Sequence, residues 1–120
     1  MKTKLIYDSK IPKYLSVFIS INAITLYPYI IFSKKAEDVS PITVNHEMIH
    51  IEQQKELWVI GFYLLYVLYW IKNLIKYRNS SQAYMNIPFE IEAYTNEFEA
   101  DYLDMRPKHA WRIFKDITLT

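Results

Sequence analysis

A chain of 120 residues can enclose one hydrophobic core and hardly two, so residues 1–120 read as a single domain. Apolar residues make up 52 %, with eleven tyrosines and one glycine, which excludes low-complexity disorder and points to an aromatic-packed interior. The formal net charge is +1 and no basic block exceeds two residues, which argues against nucleic acid as a partner; the absence of cysteine leaves histidine and carboxylates as metal ligands.

In chain order, residues 2–7 can form a short strand. Residues 14–21 and 25–32 read as two β-rich runs around Asn22 and Ala23, an N-terminal β-hairpin. Pro28 has no N–H for a ladder, so the second run is expected to be an edge strand or to carry a bulge. Leu15 to Phe32 is uncharged, but Ser16, Ser20, Asn22, Thr25 and Pro28 interrupt it and no small-residue cleavage site follows. Strands fit it better than a signal sequence. Ser33 to Val39 is a polar connection.

Ser40 as N-cap and Pro41 in the first turn start a helix. Nothing forces a stop before about Lys76 except Gly61, so one long helix or two consecutive ones bending near Gly61 are expected. Within it, Leu57 to Ile71 is uncharged for fifteen residues. A spanning helix needs roughly 20, so a buried core helix is the first reading and membrane contact through 57–71 is its rival. Arg78 to Asn86 reads as a loop. Pro88 restarts a helix to about Met105, and Pro107 stops it. A last short helix, about 108–116, offers Trp111 and Phe114 for packing. The expected fold is α+β and mainly helical: β-hairpin, long helix, second helix, short C-terminal helix.

The chemistry concentrates in His46-Glu47-Met48-Ile49-His50. Four residues apart on a helix, His46 and His50 project from one face and can meet one Zn²⁺, while Glu47 beside the first of them can take a proton from water. A third ligand must come from elsewhere. Gln53 and Glu56 stand where a metzincin requires glycine and histidine, which removes that subclass. A carboxylate from the helix after Pro88 is the remaining common solution, and Glu90, Glu92, Glu97, Glu99 and Asp101 all lie there.

The two segments together resemble the gluzincins, HExxH zinc metallopeptidases whose third ligand is a glutamate in a Glu-x-x-Ala pattern on a later helix. Glu90-Ile91-Glu92-Ala93 and Glu97-Phe98-Glu99-Ala100 both carry that pattern. The second, continued by Asp101, is similar to a run in the membrane-embedded prenyl-protein proteases. The stretch His46 to Gln54, with Pro88-Phe89-Glu90 and Glu92-Ala93-Tyr94, resembles more closely a group of short bacterial proteins that are also gluzincin-like (minigluzincin-like). The likeness covers about residues 45–104 and implies a minimal zincin-like core, zinc and peptidase chemistry. It favours Glu90 as third ligand. Glu97 is the alternative: two turns further on, about 10 Å along the axis, the two cannot share one ion.

The expected metal ligands are therefore His46, His50 and Glu90, with Glu47 as general base and a peptide or protein as substrate. The strand run Tyr27 to Phe32 would present an edge to that peptide. The alternative is a catalytically inactive zinc-binding or structural protein. The expected location is cytoplasmic, or membrane-associated under the rival reading of 57–71. Gln53, Gln54 and Glu92 are expected to face solvent, although either glutamine can instead brace a ligand. Tyr94 is expected to pack in the core rather than hold an oxyanion, and Arg106 and His109 to be structural. Lys72, Lys76 and Arg78 solvate the end of the long helix, or meet anionic headgroups if lipid is near.

Overall fold

The computed structural model describes residues 3–14 and 23–115. It is an α+β fold: a small three-stranded sheet followed by helices. Strand β1 spans Lys4–Ile6, a one-turn helix α1 spans Ile11–Tyr14, β2 spans Ala23–Leu26 and β3 spans Tyr29–Phe32. Of the expected β-rich run 14–21, Tyr14 closes α1 instead, and 15–21 lie outside the described residues.

The hairpin sits later than the sequence suggested. Both of its strands fall in 23–32, and it turns at Tyr27–Pro28 between β2 and β3. Pro28 is thereby placed in the turn, where its missing N–H breaks no ladder bond. The sheet order is β1-β3-β2, with β1 parallel to β3 (Leu5 opposite Ile30) and β2 antiparallel to it (Thr25 opposite Ile30). Tyr29–Phe32 is thus the central strand, which corrects the expectation of an edge there. Among the described residues the edges are β1 and β2.

Helix α2, Pro41–Glu56, starts as expected: Ser40 Oγ accepts from Thr43 N–H at 3.1 Å and Pro41 follows directly. It ends at Leu57, and α3 runs over Ile60–Tyr77 at 111° to it. The break falls at Trp58 and Val59, whose φ of 59° and 58° no α-helix allows; Gly61 lies inside α3. No single helix among the described residues is long and apolar enough to cross a membrane.

Two further departures follow from capping. The expected loop after Arg78 contains helix α4, Ser80–Met85, because Asn79 Oδ1 accepts from Gln82 N–H at 2.9 Å. The helix from Pro88 is shorter than expected: α5 covers Pro88–Asn96, a turn follows, and α6 is only Tyr102–Met105. Asn45 on α2 holds that turn by donating to the carbonyls of Glu97 and Glu99 at 2.8 and 3.0 Å. The last helix is a 3₁₀ segment, Ala110–Phe114, with Trp111 buried and Phe114 half-buried.

α2 lies between the sheet and α5. On one side Ile51 packs with Ile30 and Phe32; on the other a second cluster joins Phe62, Ile87, Phe89 and Trp111. The polar residues of α2 between these clusters face α5, and that is where the site forms.

Candidate metal centre

His46 and His50 lie one turn apart on α2, and their rings meet edge to face at 4.9 Å. Glu90 arrives from the first turn of α5, set there by Pro88 at the helix start. All three side chains are buried, at 6, 4 and 4 % exposure. His46 Nε2 and His50 Nε2 stand 3.2 and 3.1 Å from the same oxygen, Glu90 Oε1. Two ligands held about 2.0–2.1 Å from one tetrahedral zinc are themselves roughly 3.3 Å apart, so this spacing suits a common ion. One donor atom from each of the three residues falls within 4.8 Å of the others.

What surrounds the rings strengthens the match. His46 Nδ1 lies 3.2 Å from Glu97 Oε2, and His50 Nδ1 lies 2.7 Å from Gln53 Oε1. A carboxylate only accepts, so His46 Nδ1 carries the proton in its bond to Glu97. Gln53 Nε2 donates to the Phe89 carbonyl at 3.0 Å and to Glu92 Oε1 at 2.9 Å, which fixes its oxygen as acceptor for His50 Nδ1–H. Both imidazoles are therefore pinned through Nδ1 with Nε2 turned to one point, the arrangement in which metal-binding histidines are held. Glu97 is the outer partner of His46, not a rival at the common point. Glu97 closes α5 as its C-cap, with helical φ of −63° and ψ of −24°, and its carboxylate reaches the far side of the ring.

The electrostatics fit a cation. Burial alone would lower the His50 pKa, but the charge of Glu90 and its hydrogen bond outweigh that and push it up to about 10. Burial alone would raise Glu90, yet the two histidines hold its carboxyl well below the usual range. A proton on His50 Nε2 thus occupies the lone pair a metal would need, so the two compete. The other oxygen of Glu90 accepts from Tyr66 at 2.7 Å. Burial first, and then the charge of Glu90, push the Tyr66 and Tyr84 hydroxyls up, so both remain donors.

Glu47 is half-buried and borders a cleft of about 410 Å³ that also reaches His46, His50 and Glu90. Thr25 on the edge strand β2 donates to Glu47 Oε2 at 2.7 Å and so orients it. Tyr63, Tyr66, Tyr84 and Tyr94 line the same cleft, and no lysine or arginine is among its described lining residues. Tyr94 packs edge-on against His46 at 4.4 Å, and its hydroxyl meets that of Tyr84 at 2.9 Å.

Three expectations of solvent exposure are corrected. Gln53, Gln54 and Glu92 are fully buried. Gln54 takes Tyr27 N–H on its oxygen and gives its amide to the Thr25 carbonyl, both at 2.7 Å, and so joins the hairpin to α2. Glu92 is neutralised by Arg106, whose guanidinium reaches it at 2.5 and 3.1 Å and also pairs with Glu56 at 2.8 and 3.0 Å. Arg106 is thereby committed away from the cleft. The His109 backbone N–H donates to Glu56 at 2.6 Å.

Sequence reasoning missed Thr25 and Tyr66, which nothing local ties to the motif. It had a signal for Gln53 and Gln54: three and four residues after His50, they must share the buried face of the ligands. No family model, no curated protein and no solved structure matches this chain, so its reading rests on the site's own geometry.

Proposed function

We propose that this chain is a zinc-dependent metallohydrolase acting on peptides, with His46, His50 and Glu90 as the ligands and Glu47 as general base. The observation that carries the reading is the pair of Nε2 atoms at 3.1 and 3.2 Å from one Glu90 oxygen while both Nδ1 atoms are held from outside. When bound, zinc supplies Lewis-acid polarisation of a carbonyl and acidifies water.

Glu47 takes the proton of the attacking water and returns it to the departing amine, and Thr25 keeps its carboxylate turned towards the cleft. An extended peptide would lie along β2 rather than along Tyr27 to Phe32, because β2 is the sheet edge that borders the cleft. With no cationic side chain among the described lining residues, nothing there pairs with a terminal carboxylate. That disfavours stepwise removal of C-terminal residues.

A second reading, an inactive zinc-binding or structural protein, draws on the near-complete burial of the three ligands. The two are separated by Glu47→Gln, which keeps the shape but cannot take a proton. Zinc-loaded wild type is expected to cleave a fluorescently labelled casein, and the variant to hold as much zinc and cleave nothing. Equal cleavage by both proteins would remove Glu47 from the mechanism. Zinc-loaded wild type that cleaves no member of a broad peptide library would favour the second reading.

A further inference from the structure

One side of α3 is a continuous apolar strip that no described element covers. Ile60, Leu64, Val67, Leu68, Ile71 and Ile75 are all exposed, from 46 % at Ile71 to 73 % at Ile60 and Ile75. At 100° per residue they fall within an arc of about 100°, and they extend over about 22 Å of helix. Patches of this kind mark interaction surfaces more often than bare surface. The opposite side of α3 is the core side, where Phe62 is buried and Asn73 donates to the Ala83 carbonyl at 3.0 Å.

Two further observations bear on what covers the strip. The chain enters α3 through Trp58 and Val59, both at positive φ, a conformation disfavoured for aromatic and β-branched residues. That turn leaves Trp58 87 % exposed at the helix's N-terminal end. In addition, Lys72 and Lys76 stand exposed beside the strip and Arg78 just beyond it, while Ile60–Tyr77 contains no aspartate or glutamate.

We infer that α3 docks lengthwise on an anionic lipid surface, with the apolar strip in the acyl boundary and the lysines at the headgroups. Trp58 is suited to the interface, where an aromatic ring meets both water and hydrocarbon. The lysines can lay their stems along the strip while their ammonium groups reach phosphate. The helix lies in the plane of the surface rather than across it, as an amphipathic helix does. A second copy of the chain fits less well. A symmetric pair would set the same face against itself, and Lys72 and Lys76 would meet a helix without a single carboxylate. Of the α3 residues that border the cleft, Phe62 and Tyr66 lie on the side away from the strip and Tyr63 lies at its flank, so docking leaves the cleft's Phe62 and Tyr66 wall on the water side.

The test is co-sedimentation of the full chain with vesicles of phosphatidylcholine, with and without phosphatidylglycerol. Wild type is expected to pellet with the anionic vesicles, to release as salt rises, and to pellet weakly with phosphatidylcholine alone. Leu64→Glu/Leu68→Glu changes only exposed positions and is expected to lose pelleting while keeping its circular dichroism. Lys72→Glu/Lys76→Glu leaves the strip intact and is expected to lose the preference for phosphatidylglycerol. Wild type that stays in the supernatant with both vesicles would overturn the proposal. So would a dimer in sedimentation equilibrium that Leu64→Glu/Leu68→Glu dissolves without any effect on vesicle binding, because the strip's partner would then be a second copy.

Discussion

At the scale of single residues, each histidine has one nitrogen for the common point and one for the protein. Gln53 is the best-determined of the outer partners: its amide is spent on the Phe89 carbonyl and Glu92, so its oxygen can only accept from His50 Nδ1–H. Removing it frees the ring to rotate and to change tautomer. Gln53→Ala is therefore expected to weaken zinc binding by about 10- to 100-fold in a chelator competition, the range usual for outer-shell partners. An unchanged zinc affinity in a folded variant would show that His50 needs no such brace. The grouping of His46, Glu47 and His50 was legible in the sequence because a two-histidine spacing on a capped helix is a local pattern, whereas Glu90 was preferred to Glu97 only through the resemblance of its motif. Gln53, Gln54 and Glu92 were misread because polar residues are ordinarily exposed, and the long-range partners of the glutamines come from 27 to 39 residues away. What buries Glu92 is Arg106, and nothing local marks that pairing.

At the scale of elements, starts were more legible than ends. Ser40-Pro41 and Pro88 mark where α2 and α5 begin, because caps and proline act within one turn. The ends depend on distant contacts. α5 stops at Asn96 where Asn45 of α2 holds the carbonyls of Glu97 and Glu99, and no pattern in residues 88–105 announces that. Glu97, the C-cap of α5 with helical backbone angles, stays two turns from Glu90, and its carboxylate meets His46 Nδ1 rather than the common point. The helix missed at Ser80–Met85 did have a local signal, Asn79 followed three residues later by Gln82. The hairpin was placed too early because the alternating run 14–21 outweighed the turn residues Tyr27 and Pro28. As a result, the strand next to the site is β2 and not the run beginning at Tyr27.

At the scale of the whole molecule, a buried ionic cluster ties the C-terminal segment to both helices of the site. Arg106 joins Glu56 of α2 to Glu92 of α5, and Tyr102 adds a 2.7 Å bond to Glu92. Burial alone would raise the Glu56 carboxyl, but the hydrogen bonds from Arg106 and the His109 N–H outweigh it and hold it below the usual carboxylate range. A carboxyl lowered on folding contributes stability above its unfolded pKa and loses it as pH falls through the folded one. Glu56→Gln is thus expected to be less stable than wild type in urea at pH 7, with the gap closing as the pH falls below about 4.3, the ordinary glutamate value. A gap that does not change with pH would assign the loss to packing rather than charge. The same assembly of α2 and α5 brings His46, His50 and Glu90, the proposed zinc ligands, together. The most direct test of that ligand set is zinc affinity by chelator competition for wild type, His50→Ala, Glu90→Ala and Glu97→Ala. Wild type should bind about one zinc per chain, and His50→Ala and Glu90→Ala should lose nearly all of it. Glu97→Ala should retain the site with affinity reduced about 10- to 100-fold. Loss of zinc on Glu97→Ala with retention on Glu90→Ala would contradict the ligand set, and equally weak binding by all four proteins would contradict the metal centre itself.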